Sequence, residues 1–122
     1  MKRETKRFIL QELSDYVYSC EELKKLYLEM ETAKKAPIGK YSNRQLTTLA
    51  LRIENLERIV VAIESVSLML NNDLHNIFVA RFVEKPQKTD CEIYAALHMG
   101  KAKFYKDVHT ICEMLAVKLG LK

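Results

Sequence analysis

With 122 residues, under a third of them charged and close to half apolar, the chain suits one globular domain, or one small domain with an extended appendage, and is too apolar for a disordered one. Only three glycines and two prolines punctuate it, which argues against a many-stranded sheet and for long helices. The formal net charge of +4 admits a nucleic-acid partner without requiring one.

Cys20, Cys91 and Cys112 are odd in number and share no close spacing. They read as reduced thiols, mostly packed in a core, rather than as a disulfide framework. The opening stretch MKRETKRFILQEL is charged and then amphipathic, unlike a signal peptide. No segment approaches the ~18 apolar residues of a membrane span. A cytoplasmic protein with no membrane partner is expected.

From Arg3 to about Lys34 the apolar residues fall at Ile9, Leu13, Tyr16, Cys20, Leu23, Tyr27 and Met30, alternating by four and three. That heptad seam predicts one uninterrupted helix of roughly 45 Å at ~1.5 Å per residue. Phe8, Val17, Leu26 and Leu28 widen the stripe. Pro37 and Gly39 break it, and Ser42 or Asn43 is placed to cap a second helix. That helix, from about Arg44 to Leu70, carries Leu46, Leu49, Ile53, Leu56, Val60 and Ile63 at the same spacing. The two helices suggest an antiparallel hairpin, and a dimeric coiled coil fits equally. Periodicity shows that a partner helix exists, not which chain supplies it.

Asn71, Asn72 and Asp73 end that helix and begin a shorter one through about Val83, with Leu74, Ile77, Phe78 and Phe82 on one face. Glu84 to Lys88 form a polar linker. Thr89 or Asp90 then caps a helix holding Ile93, Tyr94 and Leu97, and His98-Met99-Gly100 makes a turn. The last helix runs from Lys101 to about Leu119 with Phe104, Val108, Ile111 and Leu115 inward, and Gly120 is its expected terminator. The expected fold is all-α: a long helical hairpin or dimerising coil over residues 1–70, then a three-helix helix-turn-helix unit over 71–122.

The stretch TDCEIYAALHMGKAKFYK (Thr89 to Lys106) has the outline of a helix-turn-helix, whose second helix lies in the DNA major groove. On that helix Lys101, Ala102, Lys103, Lys106, His109 and Thr110 fall on or near the solvent side, where lysines reach phosphates or guanine edges. Tyr105 borders the core and serves either packing or a phosphate contact. The same lysines also fit an ordinary solvated helix face. Three or four phosphate contacts give a salt slope of only about −3 to −4, so such a reader gains from a second copy, and the heptad helices offer a homodimer. Lys2, Arg3, Lys6 and Arg7 form a second basic cluster, which either touches DNA backbone or is simply solvated.

His75, His98 and His109 are scattered, and no Gly-rich phosphate loop or nucleophile elbow occurs, so neither an enzyme nor a cofactor is expected. His109 and Cys112 lie one turn apart, with Cys91 and His98 nearby in sequence. That spacing matches no zinc pattern, and Cys112 reads as a buried thiol.

On Glu92, Ile93, Tyr94, Leu97, Lys101, Phe104, Tyr105 and Lys106, and on the closing LAVKLGL (Leu115 to Leu121), the C-terminal half resembles the ArpU-like family of phage transcriptional regulators. More distantly it resembles RinA-type activators. The likeness covers most of residues 55–122 well and the N-terminal half only in general form. It implies a helix-turn-helix similar to the promoter-reading domain of bacterial sigma factors. It further implies a phage or prophage activator of late packaging and lysis genes, working on double-stranded DNA with host RNA polymerase in the bacterial cytoplasm. The chain departs from the family where Gly100 replaces a frequent serine N-cap and His98 a frequent glycine, and its linker around Pro37 is shorter. A small terminase subunit, or a helical protein-interaction adaptor, is the alternative function.

Overall fold

Six helices and no strand make up the protein, seen over residues 1–122 in a computed structural model. They are α1 (Arg3–Ser14), α2 (Tyr16–Lys35), α3 (Asn43–Met69), α4 (Asn72–Phe78), α5 (Asp90–Ala96) and α6 (Lys101–Lys118). The all-α expectation holds. No helix is long and apolar enough to cross a membrane.

The first predicted helix is two helices. At Asp15 the backbone turns to φ −89°, ψ 0°, and its side chain accepts a 3.0 Å hydrogen bond from Gln11 Nε2. Aspartate is a weak helix former because its carboxylate competes for local donors, and here it marks the break. Ile9 and Leu13 are buried on α1 and Leu23 on α2, all at predicted positions. Past the break, however, α2 buries Ser19 and Leu26 in place of their predicted neighbours Cys20 and Tyr27, with Ala33 added near its end. Tyr27 is left exposed, and its hydroxyl donates to Glu57 on α3.

Helices α2 and α3 lie antiparallel within one chain. Glu29 near the end of α2 neighbours the first turns of α3, and Cys20 near its start neighbours Glu64. Between them, Pro37 to Lys40 form a turn closed by the Lys40 amide on the Pro37 carbonyl at 3.1 Å, with Gly39 at φ +91°. That positive φ in the third turn position suits a residue without a Cβ. Ser42 and Gln45 then cap α3 reciprocally, at 3.1 and 2.7 Å.

One core of 15 buried residues holds the rest together, and it draws on α1 and α3 as well as on the C-terminal helices. Ile9 and Leu13 of α1 and Ile63 and Val66 of α3 join Ile77, Phe78, Phe82 and Ile93. The largest share comes from α6: Phe104, Val108, Ile111, Cys112, Leu115 and Ala116. Burial of each large side chain stabilises by roughly 1.5–3 kcal/mol. Asn71 caps α4 by accepting from the Leu74 amide at 2.9 Å, and α4 continues as a π-helical turn over Val79–Val83. Phe78 at the end of α4 and Phe82 on that turn bring their rings to 6.0 Å, and Tyr16 reaches Phe78 at the same distance. Burial pushes the Tyr16 hydroxyl up to about 12, aided by Cys20 and Glu64.

Candidate nucleic-acid interface

Helix α5 starts from a reciprocal cap. Thr89 Oγ1 accepts from the Glu92 amide at 3.2 Å, and the Glu92 carboxylate accepts from the Thr89 amide and hydroxyl at 3.2 and 2.9 Å. These bonds from Thr89, with Lys88 nearby, hold the Glu92 carboxyl below its ordinary value. At the other end the His98 amide donates to the Ala95 carbonyl at 3.1 Å and the Met99 amide to the Tyr94 carbonyl at 2.8 Å. That double closure is a Schellman motif, with His98 at φ +56° in the left-handed position usually given to glycine. Gly100 is extended and opens α6 without a side-chain cap.

Helix α6 is split lengthwise. Phe104, Asp107, Val108, Ile111, Cys112, Leu115 and Ala116 are buried, while Lys101, Ala102, Lys103, Tyr105 and Lys106 are exposed and His109 and Thr110 are half-buried. All seven residues predicted for a DNA-facing surface therefore reach solvent on one helix. Their charges are not equally free. Lys103 Nζ sits 2.7 Å from Oδ2 of Asp107, whose side chain is only 10% exposed. His109 Nε2 lies 2.8 Å from Glu113, which also pairs with Lys122. Thr110 donates to the Lys106 carbonyl at 3.1 Å within the helix. Lys101 and Lys106 have no acidic partner in the protein.

Tyr105 packs on the core, as one of its two anticipated roles has it, and its hydroxyl is engaged by a carboxylate of the same chain. Its ring meets Phe104 edge-on at 5.2 Å, and its exposed hydroxyl donates to Asp90 Oδ2 at 3.2 Å. Burial and the Asp90 charge raise that hydroxyl above its ordinary value. Asp90 also faces Arg81, with Nε 2.6 Å from Oδ1, and the Arg81 guanidinium stands 5.1 Å from the Phe82 ring centroid. The Arg81–Asp90 contact is close but poorly directed, since neither Nε nor Nη1 of Arg81 makes a geometrically sound hydrogen bond. Arg81, Asp90 and Tyr105 thus tie the π-helical turn, α5 and α6 into one unit.

Comparison with protein families, characterised proteins and solved structures finds no match to this chain.

Two features escape a reading of the sequence. One is Asp107, a buried carboxylate inside the basic segment; the spacing of Lys103 and Asp107 by one helical turn was the available signal. The other is the position of α1, which packs against α6 although some hundred residues separate them. Lys6 lies near enough to Cys112 to oppose the effect of burial on that thiol, which is still pushed up to about 11. Of the three free thiols only Cys112 is buried; Cys20 is half-buried and Cys91 exposed, against the expectation that most would be packed.

Proposed function

We propose that the protein is a sequence-specific double-stranded DNA-binding regulator of phage or prophage transcription, acting beside host RNA polymerase in the bacterial cytoplasm, with α6 as recognition helix. One observation carries the proposal. The first two turns of α6 project Lys101, Ala102, Lys103, Tyr105 and Lys106 into solvent while the opposite side of the same helix is sealed in the core. A rigid helix with its amino end outward, free of a side-chain cap and lined with cations, suits entry into a major groove. Resemblance of the segment to late-gene activators supports the same reading.

The test is a mobility shift on phage promoter DNA at low salt. Lys101→Glu combined with Lys106→Glu abolishes the shift and leaves helicity unchanged. These two lysines are preferred to Lys103, whose replacement by glutamate would set two carboxylates against each other at buried Asp107. No shift by the native protein on any duplex would sink the proposal and favour an interaction adaptor.

We propose that the hairpin brings in the second copy that a lightly charged reader needs. A groove of about 510 Å³ between α2 and α3 is lined by Cys20, Leu23, Tyr27, Val60 and Val61, with Lys24 on one wall and Glu57 and Glu64 on the other. Apolar residues flanked by both signs of charge on one surface suit pairing with a second copy. Sedimentation gives a dimer for the native protein and a monomer for Val61→Glu. A ring of many subunits would instead favour a small terminase subunit.

A further inference from the structure

The cations free on α6 are too few to explain firm DNA binding. Lys103 and His109 face carboxylates of their own helix, and Lys118 stands at its far carboxyl end, which leaves Lys101 and Lys106 at the amino end. Two phosphate contacts correspond to a salt slope of only about −1.8. The missing charge lies on α1. Lys2, Arg3, Lys6 and Arg7 crowd its first turns and enter none of the ion pairs in the protein. Glu4 is the single acidic residue among them, and it too is unpaired.

Packing fixes where these cations stand. Ile9 and Leu13 enter the same core as Ile111, Cys112, Leu115 and Ala116 of α6. Lys6 lies near Cys112, and Met1 near Glu113, so the first turns of α1 run beside the middle turns of α6. Arg3 and Arg7 are exposed on this stretch, with Arg3, Lys6 and Arg7 around a shallow hollow of about 330 Å³. Cations at a helix amino end oppose the helix dipole, so their accumulation there gains nothing for the fold.

We propose that α1 is a second DNA-contacting element, its Lys2, Arg3, Lys6 and Arg7 engaging the phosphate backbone flanking the groove that α6 enters. This rests on the reading of α6 as the recognition helix. It assigns α1 to affinity and α6 to sequence choice, because phosphate contacts position a protein without reading bases. With α1 engaged the cations number six, and the slope becomes about −5.4.

The experiment measures fluorescence anisotropy of a labelled promoter duplex and of an unrelated duplex, from about 50 to 200 mM salt. The quadruple variant Lys2→Gln, Arg3→Gln, Lys6→Gln, Arg7→Gln binds both duplexes more weakly, with a slope shallower by about 3.6 and the preference for promoter retained. A control removing four exposed cations at the far end of the hairpin (Lys34→Gln, Lys35→Gln, Lys40→Gln, Arg44→Gln) keeps the native slope. If the quadruple α1 variant binds like the native protein while Lys101→Gln with Lys106→Gln weakens binding, α1 has no such role and the α6 reading stands. An equal loss from the hairpin control would reduce the effect to net charge and also overturn the proposal. If the native protein binds neither duplex, both readings fall together.

Discussion

The two halves of this molecule bury their apolar residues very differently. In the half built around α6, Ile9, Leu13, Ile63, Phe104, Ile111 and Leu115 have no exposed surface at all. Along the outer hairpin the buried positions are few and partly small, with Ser19, Leu23, Leu26, Ala33 and Leu49 supplying the packing. Exposed apolar side chains gather there instead: Tyr18 at 70%, Leu28 at 64% and Leu51 at 53%. One half is therefore a self-sufficient core, suited to hold a helix rigidly. The other is a two-helix layer with a face left over.

Emptying the core should matter most. Phe104→Ala is expected to cost about 3–5 kcal/mol, enough to unfold much of the protein. Leu26→Ala, in the thinner hairpin, should cost nearer ~2 kcal/mol because a layer open on one side can close around the gap. Urea titration followed by helical circular dichroism measures both. Equal costs would break the distinction between the two halves.

The next contrast compares how each half ends its helices. Ser42→Ala removes the cap of α3 and should cost about 1 kcal/mol. His98→Gly should have the opposite sign and stabilise by up to about 1 kcal/mol. A left-handed conformation burdens a residue with a Cβ by ~1–2 kcal/mol, and the greater unfolded-state freedom of glycine offsets part of the gain. Thermal unfolding would show one midpoint falling and the other rising. A fall for His98→Gly would mean that the imidazole itself contributes at the turn.

Least of all should be the pH response of the α5 cap. Glu92 has a folded-state value depressed below its usual 4.5, so its contribution is complete above that value. It fades as the pH falls through the depressed one. Glu92→Gln should flatten this acid limb slightly, measured as stability against pH between roughly 5 and 3.

Much of this architecture was legible in the order of residues. Ser42, Thr89 and Gly120 announced helix ends, because caps and left-handed terminators act within a few residues. Phe104, Val108, Ile111 and Leu115 announced the inner face of α6 through their spacing. The break at Asp15 was not legible, since one aspartate leaves the four-three alternation intact, although α2 buries Ser19 and Leu26 instead of their neighbours Cys20 and Tyr27. Nor was the place of α1. Ile9 and Leu13 advertise a buried stripe but not what covers it, and α6 covers it from the far end of the sequence. At the surface itself exposure was predictable from periodicity, whereas the pairing of Lys103 and His109 depended on side-chain geometry.

The core that α6 completes also sets the order in which the chain can fold. Loop closure between α1 and α6 spans most of the sequence, a distant contact of the kind that slows folding. During synthesis α6 emerges after the other five helices, and until it docks Ile9, Leu13, Ile63, Val66, Phe78 and Phe82 lack their main cover. A nascent chain stalled before Lys101 would present these side chains to chaperones or to its own kind. The helix proposed to read DNA is thus also the main cover of the other helices' core, and a chain without it would leave those side chains open to solvent.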